Sequence, residues 1–247
     1  MNVPNPDGST SAAQAFAAAR RRASRAVDEL TAKAFLRSFG IATPRSIQLR
    51  GVDEIAAAFS QLSPPLALKL VSPDVLHKSD VGGVRLHLCD VDTIRSAMQV
   101  MRERAEARGH GVEGFLLEEM AATGHELVVG AFLDRSFGPV IMCGLGGVFI
   151  EILRDVSFRI CPITRLDAIE MIDELKAAPI LAGARTGIVA SADAMVNALL
   201  AVGGEDGLML RFGADIVEVD INPLIVSSAG AVAVDARLVV GAGTDDV

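Results

Sequence analysis

The sequence predicts a mixed α/β or α+β fold in two lobes, and three observations carry that prediction. Short apolar runs bounded by turn residues alternate along the chain with stretches of helical periodicity. Hydrophobic residues make up 51% and charged residues 22%, which is a globular composition. A length of 247 residues suits one large domain or two intimate lobes with a substantial core.

Residues 1–22 read as a flexible tail, polar and Pro-containing first, then Ala-rich and ending in Arg20-Arg21-Arg22. Ser24 or Asp28 is placed to cap a helix through Phe39, with Leu30, Ala34, Phe35 and Phe39 near one face. Gly40 stops it and Pro44 follows. A short strand over 46–49 leads to a helix over 52–62, ended by Pro64-Pro65, and then to a buried strand over 66–71. Residues 72–83 are too polar and turn-rich for regular structure. A strand over 84–88 and a helix over 92–108 follow, the helix carrying Ile94, Met98 and Met101 on one side. Strands are predicted over 115–120, 127–134 and 139–143, the last entering the loop Gly144-Leu145-Gly146-Gly147. Helices over 166–177 and 192–201 precede the terminal strands. The lobes divide near Gly114–Glu119, giving a tail (1–22), an N-terminal lobe (23–115) and a C-terminal lobe (116–247).

Composition excludes several classes of function. A net charge of −8 argues against a nucleic-acid surface, which normally carries a basic stripe. Mean hydropathy is high at +0.41, yet charges, Gly or Pro interrupt every apolar run short of the roughly 18–20 residues of a spanning helix. Cys89, Cys143 and Cys161 form an odd set with no Cys-x-x-Cys spacing, so buried reduced thiols are expected. With no apolar stretch behind the N-terminal charges, the cytoplasm is the expected compartment.

The C-terminal run from Val217 to Val226 alternates polar and apolar residues, Ser227-Ser228-Ala229-Gly230 is a turn, and Ala231–Arg237 returns. Pairing Val226 with Ala231 puts Asn222 opposite Asp235 and Asp220 opposite Arg237, with Glu218, Asp220 and Asn222 on one face. Facing side chains in such a pair lie about 4.5–5.5 Å apart at Cβ. Hard oxygen ligands converging in this way suit Mg²⁺, which completes its shell with phosphates and water. A solvated outer sheet face has the same pattern, and Pro223 within the strand signals an edge or an irregularity.

Gly144-x-Gly146-Gly147 follows a strand, as phosphate-cradling loops do, although a simple tight turn reads the same way and no Walker spacing is present. Lys69 sits inside an apolar strand and must find an anion, either a phosphate or a carboxylate. Arg159 in Ser157-Phe158-Arg159 is a similar case. His77, among Asp74, Lys78, Ser79 and Asp80, can be held in one tautomer to act as base or nucleophile, whereas exposed loop histidines are usually inert. His87, His110 and His125 lack such company, and His125 is expected in a turn.

Together these segments resemble the ATP-grasp domain of ADP-forming acyl-CoA synthetases, the acetate–CoA ligase beta-subunit type. The resemblance runs from about Ala26 to Val240 and rests on three stretches in the family's order: Lys69 through His77-Lys-Ser-Asp-Val-Gly-Gly-Val, Gly144-Leu-Gly-Gly-Val-Phe-Ile-Glu151, and Asp220-Ile-Asn-Pro-Leu. The succinyl-CoA synthetase beta subunit is similar in its Asn-Pro and Gly-Gly elements but lacks the His-Lys-Ser-Asp loop.

The resemblance implies an ATP-grasp fold with ATP or ADP held between two lobes. It implies that Lys69 holds the phosphates and that Glu118, with the backbone of Glu119 and Met120, meets the base and ribose. Asn222 and Asp235, with Asp220 beside them, would ligate Mg²⁺. His77 would be a transient phosphohistidine, with Glu151 orienting or receiving from a phosphorylated histidine, and Gly144, Gly146, Gly147 and Arg159 would complete the nucleotide site. The CoA site and a second phosphohistidine would lie on a separate alpha subunit, in an α2β2 assembly. The stretch Ala184-Arg185-Thr186-Gly187 departs from relatives, in which Arg is followed directly by Gly. A free-standing ATP-grasp carboxylate ligase and a non-catalytic nucleotide sensor are the competing readings.

Overall fold

The computed structural model describes residues 7–22, 25–75, 78–146, 155–184 and 187–241. It falls into two compact units, one made of Met1–Thr43 with Ala122–Val247 and the other of Pro44–Ala121. Residues 25–43 therefore join the C-terminal half, which corrects the lobe boundaries of 23–115 and 116–247. The cause is long-range pairing that chain order does not reveal. Ala26 bridges Val239, the Val27 N–H donates to the Leu238 carbonyl at 2.9 Å, and Ala42 bridges Val232.

Two helices open the chain, α1 (Asp7–Arg20) and α2 (Glu29–Ser38). The expected tail is thus largely a docked helix. Its alanines favour helix, and Phe16 is a buried anchor, stacked on Phe35 at 5.2 Å between ring centroids and edge-on to Phe212 at 5.8 Å. Arg20 reaches Asp215 at 2.5 Å. The Asp28 carboxylate caps α2 by accepting from the Thr31 N–H at 3.0 Å. The buried face of α2 is Ala32, Lys33 and Leu36 rather than Leu30 and Ala34. Lys33 can sit inside because its ammonium meets Glu29 one turn earlier at 2.7 Å, a pairing that apolar periodicity cannot detect.

The smaller unit contains β1 (Ser46–Leu49), a 3₁₀ turn, α3 (Ile55–Phe59), β2 (Leu66–Val71), β3 (Val84–Leu88), α4 (Val91–Ala107) and β4 (Gly114–Glu119). Its sheet is antiparallel with strand order β1-β4-β2-β3. Asp90 caps α4 through the Thr93 N–H at 2.8 Å. Ile94, Met98, Met101 and Ala105 form the buried stripe of α4, in one core with Leu66, Leu68 and Leu70 of β2 and Phe115 and Leu117 of β4. Each such large side chain contributes about 1.5–3 kcal/mol of burial. Because side chains alternate along a strand, Lys69 and Glu118 belong to the face turned away from those helices.

The larger unit continues with β5 (His125–Asp134), β6 (Gly138–Leu145), β7 (Val156–Ile160), α5 (Arg165–Asp173), α6 (Ala178–Leu181), α7 (Ala192–Gly203), α8 (Leu208–Phe212), β8 (Ile216–Ser227), β9 (Gly230–Ala233) and β10 (Arg237–Val240). Its sheet runs β10-β8-β5-β6-β7, with β9 pairing with β8. Leu127, Val129 and Ala131 of β5 and Ile141, Cys143 and Leu145 of β6 share a core with Met195, Val196, Leu199 and Val202 of α7. The alternate residues Gly130, Met142, Phe158, Asp220 and Arg237 follow one another across the opposite face. Neither β7 nor α8, each five residues long, was expected from the sequence. Among the described residues no helix is long and apolar enough to cross a membrane.

Candidate functional site

In the smaller unit, Lys69 faces Leu116 and Ala67 faces Glu118, so Lys69 and Glu118 are diagonal neighbours on one sheet face. Nζ lies 2.8 Å from Oε2, and the side chains are only 4% and 1% exposed. A lysine removed from water needs a counter-charge. The sequence left open whether that would be a phosphate or a carboxylate, and β4 supplies the carboxylate. Glu119 has its own partners: Oε1 accepts from Arg45 Nη1 at 3.1 Å and from the Ser63 N–H at 3.0 Å. The Met120 N–H donates to the Pro65 carbonyl at 3.3 Å, and its sulfur accepts from the His87 N–H at 3.4 Å. Residues 118–120 are therefore pinned to the segments on both sides of them.

His77 lies outside the described residues, but the segment carrying it is tied at each end. Asp74 accepts from the Gly111 N–H at 2.8 Å. Beyond it Lys78–Val81 forms a 3₁₀ turn where irregular chain was expected. The Gly83 N–H donates to the Lys78 carbonyl at 2.7 Å, and the Gly83 carbonyl accepts from the Leu70 N–H at 2.8 Å, beside Lys69. A Cβ on Gly83 would come within 2.9 Å of the Lys78 oxygen, so this return requires glycine.

In the larger unit the terminal hairpin has the expected register, with Val226 opposite Ala231 and Asp220 opposite Arg237. The same register puts Asn222 and Asp235 at facing positions between β9 and β10, where the Val234 N–H donates to the Pro223 carbonyl at 3.0 Å. On its other side β8 bulges. Leu127 faces Leu224 and Val129 faces Ile221, so three steps of β8 oppose two of β5. The buried residues change phase across Asn222-Pro223, from Val219 and Ile221 to Leu224 and Val226, and Asn222 stands exposed at the break. Pro223 thus marks an irregularity inside the sheet and not an edge. Glu218 is engaged by Arg237 at 2.9 Å. Among the described residues no three His, Cys, Asp or Glu side chains gather as a metal cluster. The donor set Asn222, Asp235 and Asp220 still fits Mg²⁺, which takes few protein oxygens and many from phosphate.

The glycine stretch needs correction. Gly144 and Leu145 belong to β6 and not to a loop, and Gly144 pairs with Val128 and Val156. A Cβ there would meet the Asp155 carbonyl oxygen at 2.8 Å, and one on Gly146 would meet the Glu126 carbonyl at 3.0 Å. The Gly146 N–H already donates to that Glu126 carbonyl at 2.7 Å. Both glycines permit close strand approach, while Gly147 and Glu151 lie outside the described residues. Arg159 is also redirected. Glu174 grips it through Nη2 at 2.5 Å and Nη1 at 3.0 Å, so its guanidinium answers a carboxylate of α5's C-terminal end. Arg159, helped by the Ser157 hydroxyl, holds the Glu174 carboxyl down to about 2.

Comparison with known proteins decides the family. The ATP-grasp domain family matches residues 18–240. The chain belongs to that family. The acetate–CoA ligase [ADP-forming] I beta subunit of Pyrococcus furiosus is 39% identical over 213 residues, spanning 85% of this ATP-grasp chain and 90% of that protein. The longer acetate–CoA ligase [ADP-forming] I of Archaeoglobus fulgidus is 42% identical over 83% of this chain but only 30% of its own length. An acetyl-coenzyme A synthetase of Ca. Korarchaeum cryptofilum, solved with coenzyme A and Ca-AMPCP, aligns with a TM-score of 0.82 at 37% identity, covering 87% of this chain and 93% of that one. A Mg-AMPPCP complex of the same protein, with its phosphohistidine segment pointing towards the nucleotide binding site, aligns with a TM-score of 0.74 at 36% identity and the same coverage. This ATP-grasp chain is accordingly part of a ligase, in the beta-subunit group of ADP-forming acetate–CoA ligases.

Three features of the ATP-grasp chain had no sequence signal. Asp155, buried, accepts from the Lys176 and Ala177 N–H groups at 2.8 Å each, twenty-odd residues away. Glu174 and Glu29 are the partners of Arg159 and Lys33. His125 opens β5 instead of sitting in a turn, and its Nε2 lies 2.7 Å from the Ile188 carbonyl oxygen. Arg185 and Thr186 of the departing stretch lie outside the described residues.

Proposed function

We propose that this ATP-grasp domain is the nucleotide-binding subunit of a cytoplasmic ADP-forming acyl-CoA synthetase. The overall reaction is acyl-CoA + ADP + phosphate ⇌ acid + CoA + ATP, and this chain moves the phosphoryl group between His77 and ADP. The observation that carries the reading is the pair Asn222 and Asp235, facing each other at a bulge on the sheet face away from the core. Hard oxygens at such a break suit a cation that accompanies phosphates better than they suit a merely solvated strand.

In the synthetic direction phospho-His77 carries a proton on its other ring nitrogen, its N–P bond breaks while a terminal oxygen of ADP forms the new O–P bond, and the imidazole departs neutral. In reverse the neutral imidazole attacks the γ-phosphorus of ATP, so its protonation blocks the step. Asn222, Asp235 and Asp220 would hold Mg²⁺, which when bound neutralises phosphate charge. Lys69 adds a fixed cation kept in place by Glu118. The backbone of Glu119 and Met120 receives the base and ribose, steadied by the Arg45, Ser63 and Pro65 contacts. Glu151 orients the phosphorylated histidine, and Gly147 lets the chain approach phosphate. The CoA site, acyl site and second phosphohistidine are assigned to an alpha subunit in an α2β2 assembly. The coverage of 90% of a separate beta subunit and of 30% of a longer ligase supports that division.

The test is to incubate the purified chain with Mg²⁺ and γ-labelled ATP and to look for acid-labile, base-stable phosphate on protein. Label on the native chain that vanishes in His77→Ala is the expected result. Persistence of label in the variant would move the carrier elsewhere. Nucleotide binding without label, even after addition of the alpha subunit, would favour a non-catalytic sensor.

A further inference from the structure

We propose that Arg237 is a phosphate ligand of this domain, donating through Nε to an oxygen of the bound nucleotide. The proposal rests on the nucleotide-binding reading above and deepens it. Arg237 opens β10 directly opposite Asp220, on the sheet face that carries Asn222 and Glu218. Its Nη2 donates to Glu218 Oε1 at 2.9 Å. Nε, on the same edge of the guanidinium, is buried and has no hydrogen-bond partner among the described residues.

That geometry is incomplete as it stands. A carboxylate that meets this edge of an arginine ordinarily accepts from both nitrogens in a fork, yet Glu218 takes one arm only. A buried N–H without an acceptor is unfavourable and calls for an explanation. Simple charge balance among Glu218, Asp220 and Asp235 explains the presence of a cation but not the orphaned donor. An incoming oxyanion explains both, since the donor stands beside the oxygen set proposed for a phosphate-bound metal. Glu218 then acts as the positioning residue that aims the guanidinium. Arginine suits the task better than lysine, because its planar fork serves a carboxylate and a phosphate oxygen at once.

Calorimetry on the full chain with Mg²⁺ tests this, comparing ADP with adenosine, which lacks the phosphates. Arg237→Lys keeps the charge and the reach to Glu218 but removes Nε. It should weaken Mg·ADP binding by about 10- to 100-fold, the worth of a hydrogen bond to a charged group, and leave adenosine binding unchanged. Native-like Mg·ADP affinity in the variant overturns the proposal and leaves the nucleotide reading intact. An equal loss for ADP and adenosine makes Arg237 structural and also overturns it. A native chain that binds no Mg·ADP overturns the nucleotide reading itself, and this proposal with it. If the variant does not fold, the arginine Nε–H resonances of the ¹⁵N-labelled native chain decide. One that moves with ADP and not with adenosine supports the assignment, and none that does so refutes it.

Discussion

Lys69 and Glu118 meet diagonally across β2 and β4, 2.8 Å apart, with both side chains closed off from solvent. Removing one member takes a buried counter-charge away from the other. Lys69→Met or Glu118→Gln alone should therefore cost about 3–5 kcal/mol in urea unfolding, whereas the double change Lys69→Met/Glu118→Leu should recover most of that loss. Single variants as stable as the native chain would show that the pair is not an anchor of the smaller unit.

The Arg159–Glu174 contact has a pH signature. Glu174 titrates at about 2 in the folded chain, below its ordinary value of 4.5. A depressed carboxyl contributes stability that is complete above the unfolded value and is lost as pH falls towards the folded one. Unfolding midpoints compared at pH 5 and pH 2.5 should fall further for the native chain than for Glu174→Gln. Because Arg159 is engaged in this way, Arg159→Ala should leave nucleotide affinity unchanged, and a large loss would restore its place in the nucleotide site.

The three thiols should differ sharply in reactivity. Burial pushes Cys143 up to about 12, with the nearby Glu174 charge adding to it, and burial alone pushes Cys161 up to about 11. Cys89 is exposed, against the expectation of three buried thiols. Thiolate is the reactive form. A disulfide reagent at pH 8 should modify Cys89 alone in the native chain and all three cysteines after denaturation.

The N-terminal helix should be integral to the larger unit. Phe16→Ala removes a buried ring packed on Phe35 and Phe212 and should cost about 3–5 kcal/mol. An unchanged melting temperature would return residues 7–20 to the status of a tail.

Gly144→Ala separates close packing from phosphate cradling. The added methyl would meet the Asp155 carbonyl oxygen at 2.8 Å and Val156 Cγ1 at the same distance. Overpacking of this kind costs about 1–3 kcal/mol, which a denaturation curve would show. Loss of nucleotide binding with full stability would instead point to a cradle.

Much of the hairpin was legible because its information is local. Alternation over 217–222 and a four-residue turn favour the register that buries Val219 and Ile221, and slipping by one residue would turn them outwards. Asp220 and Arg237 face each other as that reasoning requires. Lys69 was legible only in part. A charge within an apolar strand announces that a partner exists, but the partner's identity depends on β4 lying beside β2, forty-odd residues further along.

The glycines divide the two kinds of information most clearly. A Gly-rich stretch after a strand states that backbone must come close to something. Whether that something is a phosphate or another strand depends on what lies opposite. For Gly144 and Gly146 it is the carbonyls of Asp155 and Glu126. By itself the sequence determined the family, the run of strands and helices, and the motif residues, because these follow from local pattern and side-chain chemistry. Only the tertiary structure decided that residues 25–43 pack with the C-terminal half, which acid answers Lys69, Lys33 and Arg159, and that Arg237 keeps a buried donor unmet among the described residues. Those outcomes depend on contacts between distant segments, and burial makes an unmet charge or N–H costly enough to select among them.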